Sequence, residues 1–149
     1  MSTLNRFTVL LSIILLAACS AAPKNPLTAN REKWAAQGIT HYSFNLIVGC
    51  FCAFRNQMPL AIEVKDGKMV SIVDNAGQSV DQFAETFDKY NTVEKLFSAT
   101  EAAQNGGAEK TTVEYDPDKG YPQSVFIDYI EKAVDDEITL TVSNFTVIK

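Results

Sequence analysis

Tyr42-Ser43-Phe44-Asn45-Leu46-Ile47-Val48-Gly49-Cys50-Phe51-Cys52-Ala53-Phe54 carries the pattern on which the fold turns. Tyr42, Phe44, Leu46, Val48, Cys50, Cys52 and Phe54 share one parity, while His41, Ser43 and Asn45 share the other. Successive side chains of a strand point to opposite faces, so this alternation predicts a half-buried strand over 42–54. Both cysteines should then point at the core unless a bulge intervenes.

Downstream, Ile62 and Val64, then Val70 and Ile72, flank Asp66-Gly67. Asp-Gly between alternating segments signals a tight hairpin turn, because glycine accepts positive φ. Residues 75–90 carry Val80, Phe83 and Phe87 at irregular helical spacing. Residues 92–104 give the clearest helix: Thr92 can cap it, Val93, Leu96, Phe97 and Thr100 form one stripe, and Asn105-Gly106-Gly107 ends it. Strands follow over 111–116, 124–129 and 137–147, the first closed by the turn Pro117-Asp118-Lys119-Gly120. Ile138, Leu140 and Val142 share a face, but Phe145 and Val147 switch parity, which predicts a bulge near Ser143 or Asn144.

Upstream, a short helix is expected over 29–37, with Thr28 as cap, Trp34 as its main apolar contact and Gly38 at its C-terminal turn. The order is helix, three strands, helix, three strands. Such segregation predicts an α+β fold, an antiparallel sheet of about six strands with two main helices on one face.

The N-terminus is organised differently. Arg6 precedes an apolar run over 7–16, and Leu16-Ala17-Ala18-Cys19 follows. The run is shorter than the roughly 20 apolar residues of a membrane helix and ends in small side chains, as an export signal does. The stretch resembles a bacterial lipoprotein signal. That resemblance implies a diacylglyceryl group on the Cys19 sulfur, cleavage after Ala18 and acylation of the freed amine. Residues 1–18 are therefore expected to be a signal peptide, 19–28 the lipidated cysteine and a Pro-containing tether, and 29–149 a single domain. Ser20, in place of an aspartate, directs the expectation to the outer membrane, facing the periplasm, if the source is Gram-negative.

The full chain carries 13 basic and 18 acidic side chains in 149 residues, a formal net charge of −5. Arg6 is the sole charged residue before Cys19, so the mature part would be at −6. This acidic balance argues against nucleic-acid binding, which needs a cationic face. It also leaves acyl chains, rather than charge, to hold the membrane. No cofactor is expected beyond the covalent lipid.

Val113-Glu114-Tyr115-Asp116, Gly120-Tyr121-Pro122, Ile127-Asp128 and Asp135-Asp136-Glu137, with Trp34, Tyr42 and Cys50-Phe51-Cys52, resemble a family of small bacterial lipoproteins catalogued as domain-of-unknown-function family 6174. The likeness runs from about Trp34 to the C-terminus. It implies that these positions serve a shared fold or site, and it brings no assigned activity. In layout the chain also looks like small periplasmic modules such as β-lactamase-inhibitor and PepSY-like domains, an analogy of architecture alone.

Four groups of residues could carry chemistry. Cys50 and Cys52 belong to an oxidising compartment if the protein is exported. Residues i and i+2 of a flat strand lie about 7 Å apart at Cα, the outer limit for a disulfide, so closure needs a kink that Gly49 could permit. A local disulfide, a reduced metal-binding or redox pair, and two inert thiols are the alternatives. A soft metal would want further donors from His41, Met58 or Met69, and His41 has the wrong parity.

Asp116, Asp118, Asp128, Asp135 and Asp136 are weak candidate Ca²⁺ ligands, with turn building as the competing role. His41, the single histidine, lacks any motif for a general base or metal centre. Tyr121-Pro122, at a strand start, is a candidate interaction patch or a piece of the core.

The expected function is a membrane-anchored envelope module that binds a protein or small ligand without catalysis. A metal-handling or thiol-redox protein using the cysteine pair, and a small enzyme using the acidic group, are the rival readings.

Overall fold

A computed structural model describes residues 24–149. Residues 1–23, which include the expected signal segment and Cys19, lie outside the described residues. Helix α1 (Pro26–Ala36) leads into strand β1 (His41–Gly49), then the hairpin β2 (Leu60–Lys65) and β3 (Lys68–Val73). A 3-10 turn over Asp81–Phe83 runs into the short α2 (Ala84–Phe87), and α3 (Val93–Ala102) follows. The chain closes with β4 (Lys110–Tyr115), β5 (Pro122–Asp128) and β6 (Ile138–Val147). The six strands form one antiparallel sheet in the order β3-β2-β1-β6-β5-β4. The α+β class, the strand number and the two main helices agree with the sequence reading.

All three helices serve one face. Tyr42, Phe44, Leu46 and Val48 of β1 are buried, as are Leu60, Ile62 and Val64 of β2, Val125 and Ile127 of β5, and Leu140 and Val142 of β6. They form one core with Leu27, Trp34, Phe87, Leu96 and Phe97 from the helices. The opposite face carries Ser43, Asn45, Ile47, Glu63 and Thr141, all half-buried or exposed. This is the one-sided burial that period-two alternation encodes.

Local signals explain most boundaries. Asp66 and Gly67 both take positive φ, 52° and 74°, as the two-residue turn joining β2 to β3 requires. Thr92 caps α3: its Oγ1 accepts from the Lys95 N–H at 3.1 Å. Gly38, at φ 62°, follows the C-terminus of α1.

The expected bulge in β6 is present. Asn45 pairs with Ser143 and Ser43 with Thr146, so Asn144 and Phe145 together oppose Phe44. Asn144 takes φ 52° there. The extra residue turns Phe145 back to the core side, where its ring stacks on Tyr121 at 4.6 Å and on Tyr42 at 5.3 Å.

Three expectations need correction. The strand ends at Gly49 instead of continuing to Phe54, because Gly49 is the last residue of β1 paired with β6, opposite Thr139. Beyond it the chain turns through Cys50–Cys52 into a 3-10 turn over Arg55–Gln57.

Helix α1 starts at Pro26 instead of residue 29, so residues 26–28, expected to be tether, are helical. Asn25, rather than Thr28, is the cap, and its side chain accepts from the Leu27 N–H at 3.0 Å. Asn followed by Pro is a helix start, since proline lacks the N–H that the first turn would leave unpaired.

β3 is an edge strand with a second bulge. Glu63 pairs with Ser71 but Val64 with Met69, so Val70 is left over and 55 % exposed. Val70 therefore does not share the core face with Ile72, as strict alternation would have it.

Candidate functional site

The sheet has two ends of opposite character. One is where β1 begins, β6 finishes and β4 turns into β5. Trp34 sits edge-on to Tyr42 (5.4 Å), Phe145 (5.7 Å) and Tyr121 (6.2 Å) there. The β4–β5 turn lies against α1 so closely that a Cβ on Gly120 would stand 2.7 Å from the Asn30 carbonyl oxygen. Gly120 also has φ 84°, so both space and backbone demand glycine. The Lys33 ammonium donates to the Pro117 carbonyl across the same contact.

A polar network locks this end. The Tyr42 hydroxyl accepts from the Val93 N–H at 3.0 Å and donates to Glu94 Oε2 at 3.3 Å. The Trp34 indole N–H donates to Glu94 Oε1 at 3.0 Å. Val93 opens α3, so Tyr42 satisfies a backbone donor that a helix start leaves without an internal partner. Glu94 stands in the first turn, where the helix dipole favours a carboxylate. Burial holds the Tyr42 phenol well above its ordinary range, and Glu94 adds to this while the Val93 N–H opposes it. Such a tyrosine stays neutral and structural. Glu94 drew no notice from the sequence; an acid two residues after a Thr cap is a weak signal, and its partners lie more than fifty residues away.

Tyr121 and Pro122 also belong to this closed end. Both are buried, Tyr121 at 5 % exposure, so neither forms an interaction patch. The β6 bulge brings Phe145 onto Tyr121 and covers it. Burial, and then the Asp116 carboxylate beside it, push the Tyr121 phenol up to about 12.

The opposite end is where β1 and β5 finish and β6 begins. Cys50 and Cys52 lie just beyond β1, half-buried against the core. Their Cα atoms are 5.2 Å apart and their sulfur atoms are in contact. The contraction from strand spacing supplies the expected kink, with no positive φ at Gly49. Phe51 between them is 74 % exposed, with the Arg55 guanidinium 5.9 Å from its ring centroid. The β5–β6 loop at this end exposes Ile130 (55 %) and Val134 (84 %).

The acidic candidates divide between the two ends. Asp116 and Asp118 lie in the β4–β5 turn, where Asp116 Oδ1 accepts from the N–H groups of Asp118 and Lys119. That is turn chemistry. Asp128, Asp135 and Asp136 lie about 20 Å away along β5, at the Phe51 end. There Asp128 Oδ1 and both oxygens of Asp136 are closed to solvent and have no hydrogen-bond partner among the described residues. Desolvation raises the Asp128 carboxyl above its usual range, with Asp136, Glu137, Glu109 and Glu131 adding repulsion. Among the described residues no three His, Cys, Asp or Glu side chains are arranged to hold a metal ion.

The soft donors are likewise dispersed. His41 Nε2 lies 2.7 Å from Glu63 Oε1 at the far end of β1, and Met58 Sδ accepts from the Val48 N–H. Among the described residues no helix is long and apolar enough to cross a membrane.

Comparison with curated proteins and with solved structures finds no match in either. The model of a family of unknown function, DUF6174, matches residues 26–147, from the first residue of α1 to the last of β6. The match spans the helical layer, both ends and every strand of the sheet, and the chain belongs to that family.

Proposed function

We propose that the protein is a lipid-anchored module of the cell envelope that binds another envelope protein and catalyses no reaction. The observation that carries this reading is the end bearing Phe51. Of the four large apolar side chains more than half exposed among the described residues, Phe51, Ile130 and Val134 gather at that end of the sheet. Exposed aromatic and aliphatic groups held on a rigid base are how binding surfaces are built. Phe51 is held by its neighbours: a disulfide between Cys50 and Cys52 would fix the turn and leave the ring few conformations to lose on binding.

The anchor is the second part of the proposal. Cys19 would carry the lipid, and the segment before α1 would link the domain to the membrane, on the periplasmic side of the outer membrane in a Gram-negative cell. Two or more acyl chains give stable anchoring, since each buried methylene contributes about 0.8 kcal/mol. A metal-handling role would have to do without a group of three His, Cys, Asp or Glu donors among the described residues, and a thiol-redox role would rest on Cys50 and Cys52 alone.

The test is crosslinking and pull-down of the anchored protein from its own envelope, beside the Phe51→Ser variant. A reproducible envelope protein should be recovered with the native chain and lost with the variant. Recovery of the same protein in equal yield from both would overturn the reading. Fatty-acid labelling that vanishes in Cys19→Ser supports the anchor; labelling that persists removes it. Intact mass should rise by two hydrogen atoms on reduction if Cys50 and Cys52 are bonded, and an unchanged mass would refute the bond.

A further inference from the structure

On the helical side of the sheet a groove of about 440 Å³ runs between the edge strand β3 and the segment 80–91. Its apolar lining is Met69 and Ile72 from β3, with Val80, Ala84 and Phe87 opposite. The β3 bulge creates this wall. Met69 pairs with Val64 and Ile72 with Ile62, both core-facing, so skipping Val70 puts Met69 and Ile72 on the same side. Bulges at sheet edges re-aim side chains in this way.

The groove's other wall is acidic. Asp81, Glu85 and Asp88 line it, and no basic side chain does. Lys95 compensates Asp88 from behind, with Nζ 2.6 Å from Oδ1. Asp81 and Glu85 take part in no ion pair among the described residues. Asn91, 2 % exposed, lies at the groove; its amide donates to Asp88 at 3.4 Å and its carbonyl oxygen has no protein partner.

Backbone is on offer as well. Among the described residues β3 has β2 on one side and no strand on the other. Beyond its last residue's single bridge, Val73 to Ser79, the outer N–H and C=O groups of β3 meet no strand. An unpaired edge is a template for another strand, and side-chain pockets beside it select which one.

We propose that β3 receives an extended segment of a partner protein as a seventh strand, with lysine or arginine at alternate positions. Alternate side chains of the added strand face the groove. Their aliphatic stems lie on Met69, Ile72 and Phe87, and their cationic heads reach Asp81 and Glu85. An aliphatic stem on an apolar floor with a charged tip at a polar rim suits both parts of a lysine. Phe51 is not among the residues that line the groove, so either proposal can fail alone.

The test is hydrogen exchange of the full lipidated protein in detergent micelles, read by mass spectrometry. The probes are a blocked seven-residue peptide alternating valine and lysine, its valine–glutamate counterpart, and hexylamine. The lysine peptide at saturation should slow exchange of the 68–73 backbone by tenfold or more, and the other two probes should not. The double variant Asp81→Lys with Glu85→Lys, both exposed positions, should abolish the protection while circular dichroism stays unchanged. Absence of protection by the lysine peptide overturns the proposal. So does equal protection by the glutamate peptide, which would reduce the edge to an unselective template, or by hexylamine, which would make the groove an amine pocket without strand addition.

Discussion

The two ends of the sheet use aromatic residues in opposite ways. At one end Trp34, Tyr42, Tyr121 and Phe145 pack edge-to-face and stacked, with Trp34 5 % and Tyr42 1 % exposed. At the other, Phe51 stands 74 % exposed on a turn whose cysteines are in contact. The closed end holds its polar atoms in a network of three hydrogen bonds around Glu94 and Val93. The open end leaves carboxylate oxygens of Asp128 and Asp136 without partners. If the open end is the recognition surface, as proposed, substitutions at the two ends should have separable effects.

The largest effect on stability is expected at Trp34. Trp34→Ala removes the ring that three other aromatics meet and should cost about 3–5 kcal/mol. Urea unfolding followed by circular dichroism measures it, and a loss under 1 kcal/mol would mean that the closed end is not the structural one. Tyr42→Phe keeps the ring but strands the Val93 N–H and takes a donor from Glu94. An unsatisfied buried group costs about 1–3 kcal/mol, and the shift in urea midpoint should fall in that range without a change in slope.

A smaller effect, and one that depends on pH, belongs to Asp128. Its folded-state pKa is raised above the ordinary 3.8. As pH rises through the window just above that value, the native state holds more protons than the unfolded state, so this group's contribution to stability falls. Asp128→Asn removes the effect. The variant should gain on the native chain between pH 4 and pH 7 in urea midpoints measured at both. A variant that loses ground over that range would contradict the crowding of acids around Asp128.

Smallest of all should be Phe51→Ser, within about 0.5 kcal/mol of the native chain, because an exposed ring has little packing to lose. A loss above 2 kcal/mol would place Phe51 with the structural aromatics.

Much of the fold was legible where a local rule has one structural outcome. Asp66-Gly67 demanded a turn, Thr92 a cap, and the parity switch at Phe145 a bulge, and each is in place. The reading failed where one pattern serves two conformations. Apolar residues at 50, 52 and 54 continue the strand period, yet the cysteines form a contracted turn, because sulfur contact and strand spacing cannot coexist. Asn25-Pro26 suits a linker by composition and equally starts a helix, which is what it does here.

The open end was half legible. The cysteine pair drew notice, but the exposure of Phe51 did not, since a residue's burial beyond a strand depends on where the strand stops. The acids are near one another in sequence but not all in space, because the length of β5 intervenes between Asp116 and Asp128. The groove beside β3 was not legible at all. It needs strand order, and sequence periodicity does not say which strand is left at an edge.

The separation of the two ends can be measured directly with a photoreactive residue placed at position 51 or, as the control, at position 36. Both positions are exposed, and Ala36 lies at the end of α1 that leads into the closed end. Irradiation of the protein in the cells that produce it should give a discrete crosslinked species from position 51 and none from position 36. Equal crosslinking from the two positions, or none from position 51, would contradict the assignment of recognition to the open end.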